Sequence, residues 1–299
     1  MDILEILQDA VLDSVKLIPF LFITYLIMEY IETKTEGHTS NIIQKSERFG
    51  PLFGGIIGAF PQCGFSAAAS NFYAGRVITI GTLIAIYLST SDEMLPIFIS
   101  EHMPVDQMLK IIGMKAVIGI IAGFIIDIVV HKYHIAHHQK PVDDLKIEEL
   151  CEHEHCHCHD DHSHESVIYN TVKSAFVHTL HIFIFILIFT LVCNFVIAII
   201  GEDNLQAFMQ TSPVLSHIVA GLIGLIPNCA ASVIITELYL DGLITLGCMM
   251  SGLLVGAGVG LAILFRVNSN KKENLNIVLL LFIIGVICGF AIDALGIAI

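Results

Sequence analysis

The sequence predicts an all-α polytopic membrane protein built from two repeats of inverted topology. Three observations support this fold class: the 299 residues are 55% hydrophobic and only 14% charged, apolar stretches recur along the whole chain, and one motif returns at a constant spacing. Soluble domains contain about 25% charged residues, so the bilayer is the expected solvent. Each repeat is predicted to hold three spanning helices and one re-entrant hairpin of two half-helices, which makes ten helical segments.

The apolar stretches are long enough to cross a hydrocarbon core of about 30 Å. They cover residues 15–31, 77–99, 111–130, 176–200, 243–265 and 277–297. Acidic residues precede the first stretch, which has neither a basic leader nor a small-residue cleavage site. We therefore expect it to remain as a span and not to act as a cleaved signal peptide.

The repeat is visible where residues 55–63 (GIIGAFPQC) align without a gap on residues 221–229 (GLIGLIPNC), 166 positions later. The same offset pairs further residues: Ser66 with Ser232, Tyr73 with Tyr239, Gly81 with Gly247, and Asp127 with Asp293. A chance match between apolar segments would not keep rare Pro, Cys and Asp residues in register. The predicted units are a first repeat at 1–132, a linker at 133–166 and a second repeat at 167–299.

The orientation of the repeats follows from the basic residues, which concentrate in short cytoplasmic loops. The loop after the first span is basic and its counterpart at 201–213 has no basic residue, whereas the loop at 266–272 is basic and its counterpart at 100–110 has only Lys110. The residues concerned are Lys34, Lys45 and Arg48 in the first loop and Arg266, Lys271 and Lys272 in the last. Equivalent loops are thus predicted on opposite sides, with both termini outside and the linker cytoplasmic.

A re-entrant hairpin satisfies the number of crossings that this topology requires. Stretch 77–99 is predicted as an uninterrupted span, but the roughly 26 residues of 49–74 are broken at 61–64 into pieces too short to cross at about 1.5 Å per residue. The mirror copy turns at 227–230, so both tips are expected near the midplane. Irregular backbone survives there only where protein or a water-filled cavity satisfies it, which makes paired broken segments candidate substrate sites.

Polar and thiol side chains lie at both predicted tips. The predicted substrate-binding residues are Gln62, Cys63 and Ser66 in the first hairpin and Asn228, Cys229 and Ser232 in the second. Buried cysteine is often simple packing, and a serine hydroxyl satisfies freed backbone as readily as it binds cargo. Both alternatives remain open at this point.

Carboxylates inside the membrane are functional by default because their burial is costly. Asp92 and Glu93 lie in the span at 77–99, where the second repeat has only apolar residues and glycine. We predict that they bind a cation or carry a coupling proton, with placement at the outer interface as the alternative. Glu237, in the second hairpin, is a weaker candidate for the same role. Asp127 and Asp293 lie near helix ends, where capping or contact with water is the alternative.

The linker carries a tract typical of metal binding. Its candidate ligands are Cys151, His153, His155, Cys156, His157, Cys158, His159, His162 and His164. Thiolate and imidazole bind Zn, Cu, Ni and related ions, and alternating spacing in a polar tract favours adaptable coordination over one rigid site. The alternative is an acidic solvated linker whose histidines have no such role.

Segments 60–66 (FPQCGFS), 89–96 (STSDEMLP) and 226–232 (IPNCAAS), together with the His/Cys linker, resemble the ten-transmembrane-helix heavy-metal exporter family. Its members are labelled arsenic efflux protein or manganese transporter, and the resemblance covers essentially the whole chain. It implies ten helices and the export of a toxic metal or metalloid. Thiols at the tips favour arsenite, Zn or Cd, whereas Asp92, Glu93 and amide oxygens suit Mn.

The function predicted is secondary active export of a heavy-metal cation or metalloid, coupled to protons, across a bacterial or archaeal inner membrane. No Walker motif is present in the sequence, and we expect neither an enzyme nor a resident cofactor. The expected partners are the lipid bilayer and metal or metalloid ions, without nucleic acid, and a homodimer is left open.

Three alternatives compete with export. A small organic-anion or solute carrier could use the same architecture, because half-helix N-termini bind carboxylates. An intramembrane thiol or metal-dependent enzyme would need Cys63 and Cys229 close together, and a metal sensor would need an output module.

Overall fold

The computed structural model describes residues 11–27 apart from 13, 16 and 20, residues 40–136 apart from 92 and 93, and residues 167–200 and 213–297. Within these ranges every regular element is a helix and there is no strand, which confirms the all-α prediction. The His/Cys tract at 151–164, Asp92 and Glu93 lie outside the described residues.

Among the described residues, the N-terminal half has six helices: α1 (Leu17–Ile27), α2 (Ser40–Gly58), α3 (Cys63–Ala74), α4 (Ile80–Ser89), α5 (Met94–Ser100) and α6 (Val105–Ala136). Six more form the C-terminal half: α7 (Val167–Ile200), α8 (Pro213–Gly224), α9 (Cys229–Leu240), α10 (Leu246–Val255), α11 (Val259–Val267) and α12 (Lys271–Ala294). The bounds of α3 and α4 recur 166 positions later in α9 and α10.

Helices long and apolar enough to span a membrane are present in both halves. The five helical stretches of this kind among the described residues are Ile80–Ser100, Val105–Lys132, Ala175–Cys193, Leu246–Val267 and Lys271–Ala294. They agree with a polytopic membrane protein. Two of them are not continuous, because Ile80–Ser100 comprises α4 and α5 and Leu246–Val267 comprises α10 and α11.

The prediction of an uninterrupted helix over 77–99 is therefore wrong. Helix α4 ends at Ser89, where the hydroxyl of Thr90 donates back to the carbonyl of Ile86 at 2.8 Å. Such local bonds offer the backbone an alternative to the helical ladder. Pro96 lies in the first turn of α5, the part of a helix that tolerates a missing N–H.

The equivalent break in the C-terminal half has a different chemical cause. Gly256 caps α10 and Gly258 precedes α11 with φ 54°. A side chain strongly disfavours this left-handed backbone, whereas glycine adopts it without a steric penalty. Two different sequences therefore break the two spans at matching positions.

Close helix contacts bring α6 against α4 and α12 against α10. A Cβ atom added at Gly81 would lie 2.2 Å from the carbonyl oxygen of Gly123, and one added at Gly247 would lie 2.3 Å from that of Gly289. Only glycine permits this approach, as in other tightly packed membrane helices. The buried faces are in the same register: positions 111, 115, 119, 123 and 126 of α6 match 277, 281, 285, 289 and 292 of α12.

Asp127 and Asp293, four residues after Gly123 and Gly289, cap helices. Asp127 accepts the Gly81 N–H at 2.8 Å and the Thr79 hydroxyl at 2.8 Å. Asp293 accepts the Gly247 N–H at 2.8 Å and the hydroxyl of Thr245. Capping, one of the two sequence-based alternatives, is therefore confirmed for both residues. Their carboxylates lie at the N-termini of α4 and α10, where the helix dipole stabilises negative charge.

Candidate functional site

The turn that the sequence predicts as the second hairpin tip lies between α8 and α9. Asn228 is the N-cap of α9, with an extended backbone (φ −146°, ψ 148°) and no side-chain capping bond. Its N–H donates to the carbonyl of Ile226 at 2.7 Å, and the residue is 4% exposed. The tight turn thus places a buried amide side chain at the start of α9, where it forms no capping hydrogen bond.

The first tip, between α2 and α3, has the same local geometry. Gln62 is the N-cap of α3 with φ −156° and ψ 110°, and its N–H donates to the carbonyl of Phe60 at 2.8 Å. Ser66 donates to the carbonyl of Cys63 at 2.8 Å, as Ser232 does to that of Cys229 at 2.8 Å. The serine hydroxyl protons therefore satisfy backbone carbonyls at both tips.

A small cavity forms where the second tip meets the two broken spans. Its volume is about 20 Å³, enough for one ordered water or an ion of similar size. The lining residues are Thr90, Ser91, Met94, Lys115, Gly224, Ile226, Asn228, Cys229, Ala231, Ser232, Gly252, Leu253, Gly256 and Gly258. Amide, hydroxyl, thiol and backbone groups thus line one cavity together with the ammonium of Lys115.

The structure separates the predicted tip residues into two groups. Asn228, Cys229 and Ser232 line the cavity. Gln62, Cys63 and Ser66 are not among its lining residues, and Cys63 is 9% exposed in a hydrophobic cluster with residues of α1, α7 and α11. The two cysteines therefore occupy different environments.

One other predicted site residue, Glu237, does not reach the cavity. Glu237 is exposed on α9 and is not among the lining residues. Within the part of the chain that the structure describes, no group of three or more His, Cys, Asp or Glu residues is arranged to hold a metal ion. Among the described residues that line the cavity, Lys115 is the only one with a charged side chain.

Sequence reasoning missed Lys115. This residue is 1% exposed on α6, and its Nζ donates to the carbonyl oxygen of Leu253 at 2.7 Å. The signal was available, because Lys115 and Asp127 are the only charged residues of the predicted span at 111–130, and an ionisable residue at membrane depth indicates a function.

The break between α4 and α5 is tied to the first hairpin. The hydroxyl of Ser91, which lines the cavity, donates to the carbonyl of Ala59 at the end of α2 at 2.9 Å. On the far side of α3, the carbonyl of Gly260 accepts the hydroxyl of Ser70 at 2.6 Å. Both hairpins and both broken spans are thus linked by hydrogen bonds or by the shared cavity wall.

A charged contact joins the two halves beyond the cavity. Arg76 donates twice to the carboxylate of Glu273, at 2.6 and 2.8 Å, and the hydroxyl of Tyr73 donates to the same carboxylate. Hydrogen bonding to Glu273 raises the pKa of Arg76 above its usual range. Arg76 has φ 60°, an uncommon backbone for a residue with a side chain, and its counterpart is Gly242 with φ 71°.

Comparison with known proteins links the chain to a membrane family. A family model described as "Putative, 10TM heavy-metal exporter" matches residues 2–200 and 162–298. The two matches together cover nearly the whole chain and confirm the resemblance carried by the tip and linker motifs. No curated protein and no solved structure matches significantly.

Proposed function

Because the chain belongs to the family of 10TM heavy-metal exporters, we propose that it is a secondary active exporter of a heavy-metal cation or metalloid of the Mn, Zn, Cd or arsenite class. The observation that carries this proposal is the cavity at which a half-helix tip and two broken spans meet. Discontinuous helices that converge near the midplane are the usual construction of transporter sites. The proposed location is a bacterial or archaeal inner membrane.

The ion pair of Arg76 with Glu273 supports the inverted arrangement of the halves. Arg76 precedes the span Ile80–Ser100 and Glu273 follows the span Leu246–Val267, and each span is long and apolar enough to cross a membrane. In parallel halves, Arg76 would share a membrane face with Asp241 and lie a membrane thickness from Glu273. Contact at 2.6 Å is compatible with opposite orientation and supports this part of the proposal.

Cargo is proposed to bind in the cavity to Cys229, Asn228 and Ser232. A thiol suits soft or borderline ions, and amide and hydroxyl oxygens suit harder ones. Gln62, Cys63 and Ser66 are proposed to take over in the opposite-facing state. The matched geometry of the two tips supports this exchange, because it allows the hairpins to swap environments at similar energy.

Coupling is proposed to depend on Asp92 and Glu93. They lie in sequence between Ser91 and Met94, two residues that line the cavity. A carboxylate at membrane depth binds a cation or carries a proton, so proton exchange is the proposed driving reaction. The exposed Glu237 is given no part in the cavity.

The linker at 133–166 is proposed to collect metal on the cytoplasmic side. Its cysteines and histidines suit labile coordination, and its position between α6 and α7 would deliver ions close to the membrane surface. It is proposed to raise the local metal concentration without taking part in translocation.

Metal flux into inverted membrane vesicles tests the proposed function. Mn, Zn, Cd, Ni, Cu and arsenite should be compared with and without an acidic vesicle interior, and an acidic interior should accelerate uptake of the true cargo. Vesicles with Asp92→Asn and Glu93→Gln provide the matched control and should lose the response to the pH gradient. If none of the six species moves above the rate of vesicles without the protein, export is refuted.

A second candidate function, an organic-anion carrier, is favoured by Lys115 alone, because an ammonium in the cavity attracts carboxylates. Small dicarboxylates belong in the same flux assay. Their uptake without metal uptake would replace the first proposal with the second.

A further inference from the structure

Lys115 is a buried cation in a helix that spans the membrane. Its side chain is among the largest that are fully buried, at 1% exposure, and it lies in the span Val105–Lys132. An ammonium at this depth is costly unless hydrogen bonds compensate for its lost hydration. A lysine retained at such a position therefore needs a reason beyond filling space.

Packing does not supply that reason. Position 115 lies on the buried face of α6, and the equivalent position of α12 is Leu281, which is 0% exposed in the main hydrophobic cluster. A leucine thus fills the same place in the same helix register of the other half. The difference between Lys115 and Leu281 is the ammonium and what it contacts.

The ammonium contacts the end of a broken helix. Its acceptor, the carbonyl of Leu253, lies in the last turn of α10, which ends at Val255. Last-turn carbonyls have no amide one turn further along to pair with and form the negative end of the helix dipole. In transporters, such half-helix C-termini coordinate cations. Both Lys115 and Leu253 line the cavity.

We propose that Lys115 is a tethered cation that occupies the Leu253 carbonyl when the cavity is empty, and that a divalent cargo cation displaces it to bind there. The inference rests on the proposed function for the identity of the cargo as a cation. Lys115 is a positioning residue in this scheme, since it keeps the carbonyl satisfied between transport cycles and sets the affinity of the site. Lys115 should affect the binding of oxygen-preferring ions such as Mn²⁺ most, because the ammonium and the cargo compete for a carbonyl oxygen.

Protection of Cys229 from alkylation measures binding in this cavity separately from binding in the linker. The full-length protein is treated with N-ethylmaleimide over a series of free Mn²⁺ concentrations, and peptide mass spectrometry reports the modification of Cys229. We expect Lys115→Met to lower the half-protecting Mn²⁺ concentration by about tenfold, which corresponds to about 1.4 kcal/mol. Lys115→Arg, which keeps the charge, should leave it near the wild-type value.

Lys115→Gln separates occupation of the carbonyl from charge. It is neutral but still donates a hydrogen bond, so its gain should be smaller than that of Lys115→Met, and it carries the test if Lys115→Met does not fold. Leu281→Met controls for packing and should change nothing. Arsenite, which is uncharged at neutral pH, should protect wild type and Lys115→Met equally.

Several results would overturn the inference. Unchanged or weaker Mn²⁺ protection in Lys115→Met and Lys115→Gln would assign Lys115 a structural role. Equal gains in the two variants would show that charge acts without occupation of the carbonyl, and equal gains for Mn²⁺ and arsenite would show a general opening of the cavity. Failure of the vesicle assay with wild-type protein would refute export but would leave these comparisons valid.

Discussion

Arg76 and Glu273 form a two-point ion pair that links the N-terminal half to the C-terminal half, with N–O distances of 2.6 and 2.8 Å. Arg76 precedes one broken span and Glu273 follows the other. The side chains are each 20% exposed, so solvent weakens the pair less than it would weaken a surface pair. The contact is therefore a structural clamp between the two halves.

The first prediction concerns this clamp. Arg76→Glu and Glu273→Arg should each lower the stability of the purified protein by about 1–3 kcal/mol, because one charged partner loses its hydrogen bonds. The double exchange should recover part of the loss, as seen in thermal unfolding. Asp106→Asn is the control, because the Lys110–Asp106 pair is 59% and 68% exposed and should contribute little. No recovery in the double exchange would contradict the direct contact.

The second prediction concerns the glycine contacts between α4 and α6 and between α10 and α12. Gly81→Ala and Gly247→Ala should each destabilise the protein by about 1–3 kcal/mol, because the new methyl group meets backbone that cannot move aside. Gly113→Ala is the matched control on α6, since its added Cβ meets nothing within 4 Å. If thermal unfolding shows that Gly113→Ala destabilises the protein as much as the other two substitutions do, the observed packing is contradicted.

The third prediction distinguishes the two tip cysteines. Cys229→Ser should slow Cd²⁺ flux more than Cys63→Ser, because Cys229 lines the cavity and Cys63 packs among apolar residues. Flux at several Cd²⁺ concentrations separates affinity from turnover, and Cys229→Ser should chiefly raise the concentration for half-maximal rate. Cys248→Ser, which replaces a buried cysteine outside the cavity lining, controls for loss of a thiol. Equal effects of all three changes would remove Cys229 from the cargo site.

The fourth prediction concerns the linker. Deletion of residues 151–164 should raise the cytosolic metal concentration needed for half-maximal export but leave the maximal rate close to that of the intact chain. A variant in which a Gly/Ser segment of equal length replaces the tract controls for the length of the linker. Complete loss of transport in both would place the tract within the translocation site.

The helices of the hairpins could be predicted because their causes are local in sequence. The short apolar pieces around Pro61 and Pro227, and the offset of 166, anticipate where α2 and α8 end and where α3 and α9 begin, whereas α2 itself begins at Ser40, before the predicted stretch at 49–74. The offset also anticipates that Thr79 and Thr245 begin equivalent helices. Hydrophobic length and proline position suffice for such features.

The breaks of the two spans and the contact of Lys115 could not be predicted from local sequence patterns. The segments 77–99 and 243–265 are apolar enough to be continuous helices, and the break after Ser89 is accompanied by hydroxyl bonds that form only in the folded backbone. Lys115 reaches a carbonyl 138 positions away, a contact that depends on where the fold places the end of α10. Sequence patterns report periodicity along one helix, not the end of another helix beside it.

Sidedness of two equivalent loop positions tests the opposite orientation of the halves most directly. Met103 and Ser269 are 166 positions apart, and each lies in the loop that follows a broken span. In a chain whose native cysteines are replaced, a membrane-impermeant thiol reagent should label Met103→Cys in intact cells and Ser269→Cys only in inverted vesicles. Labelling of both positions from the same side would contradict the proposed inverted arrangement.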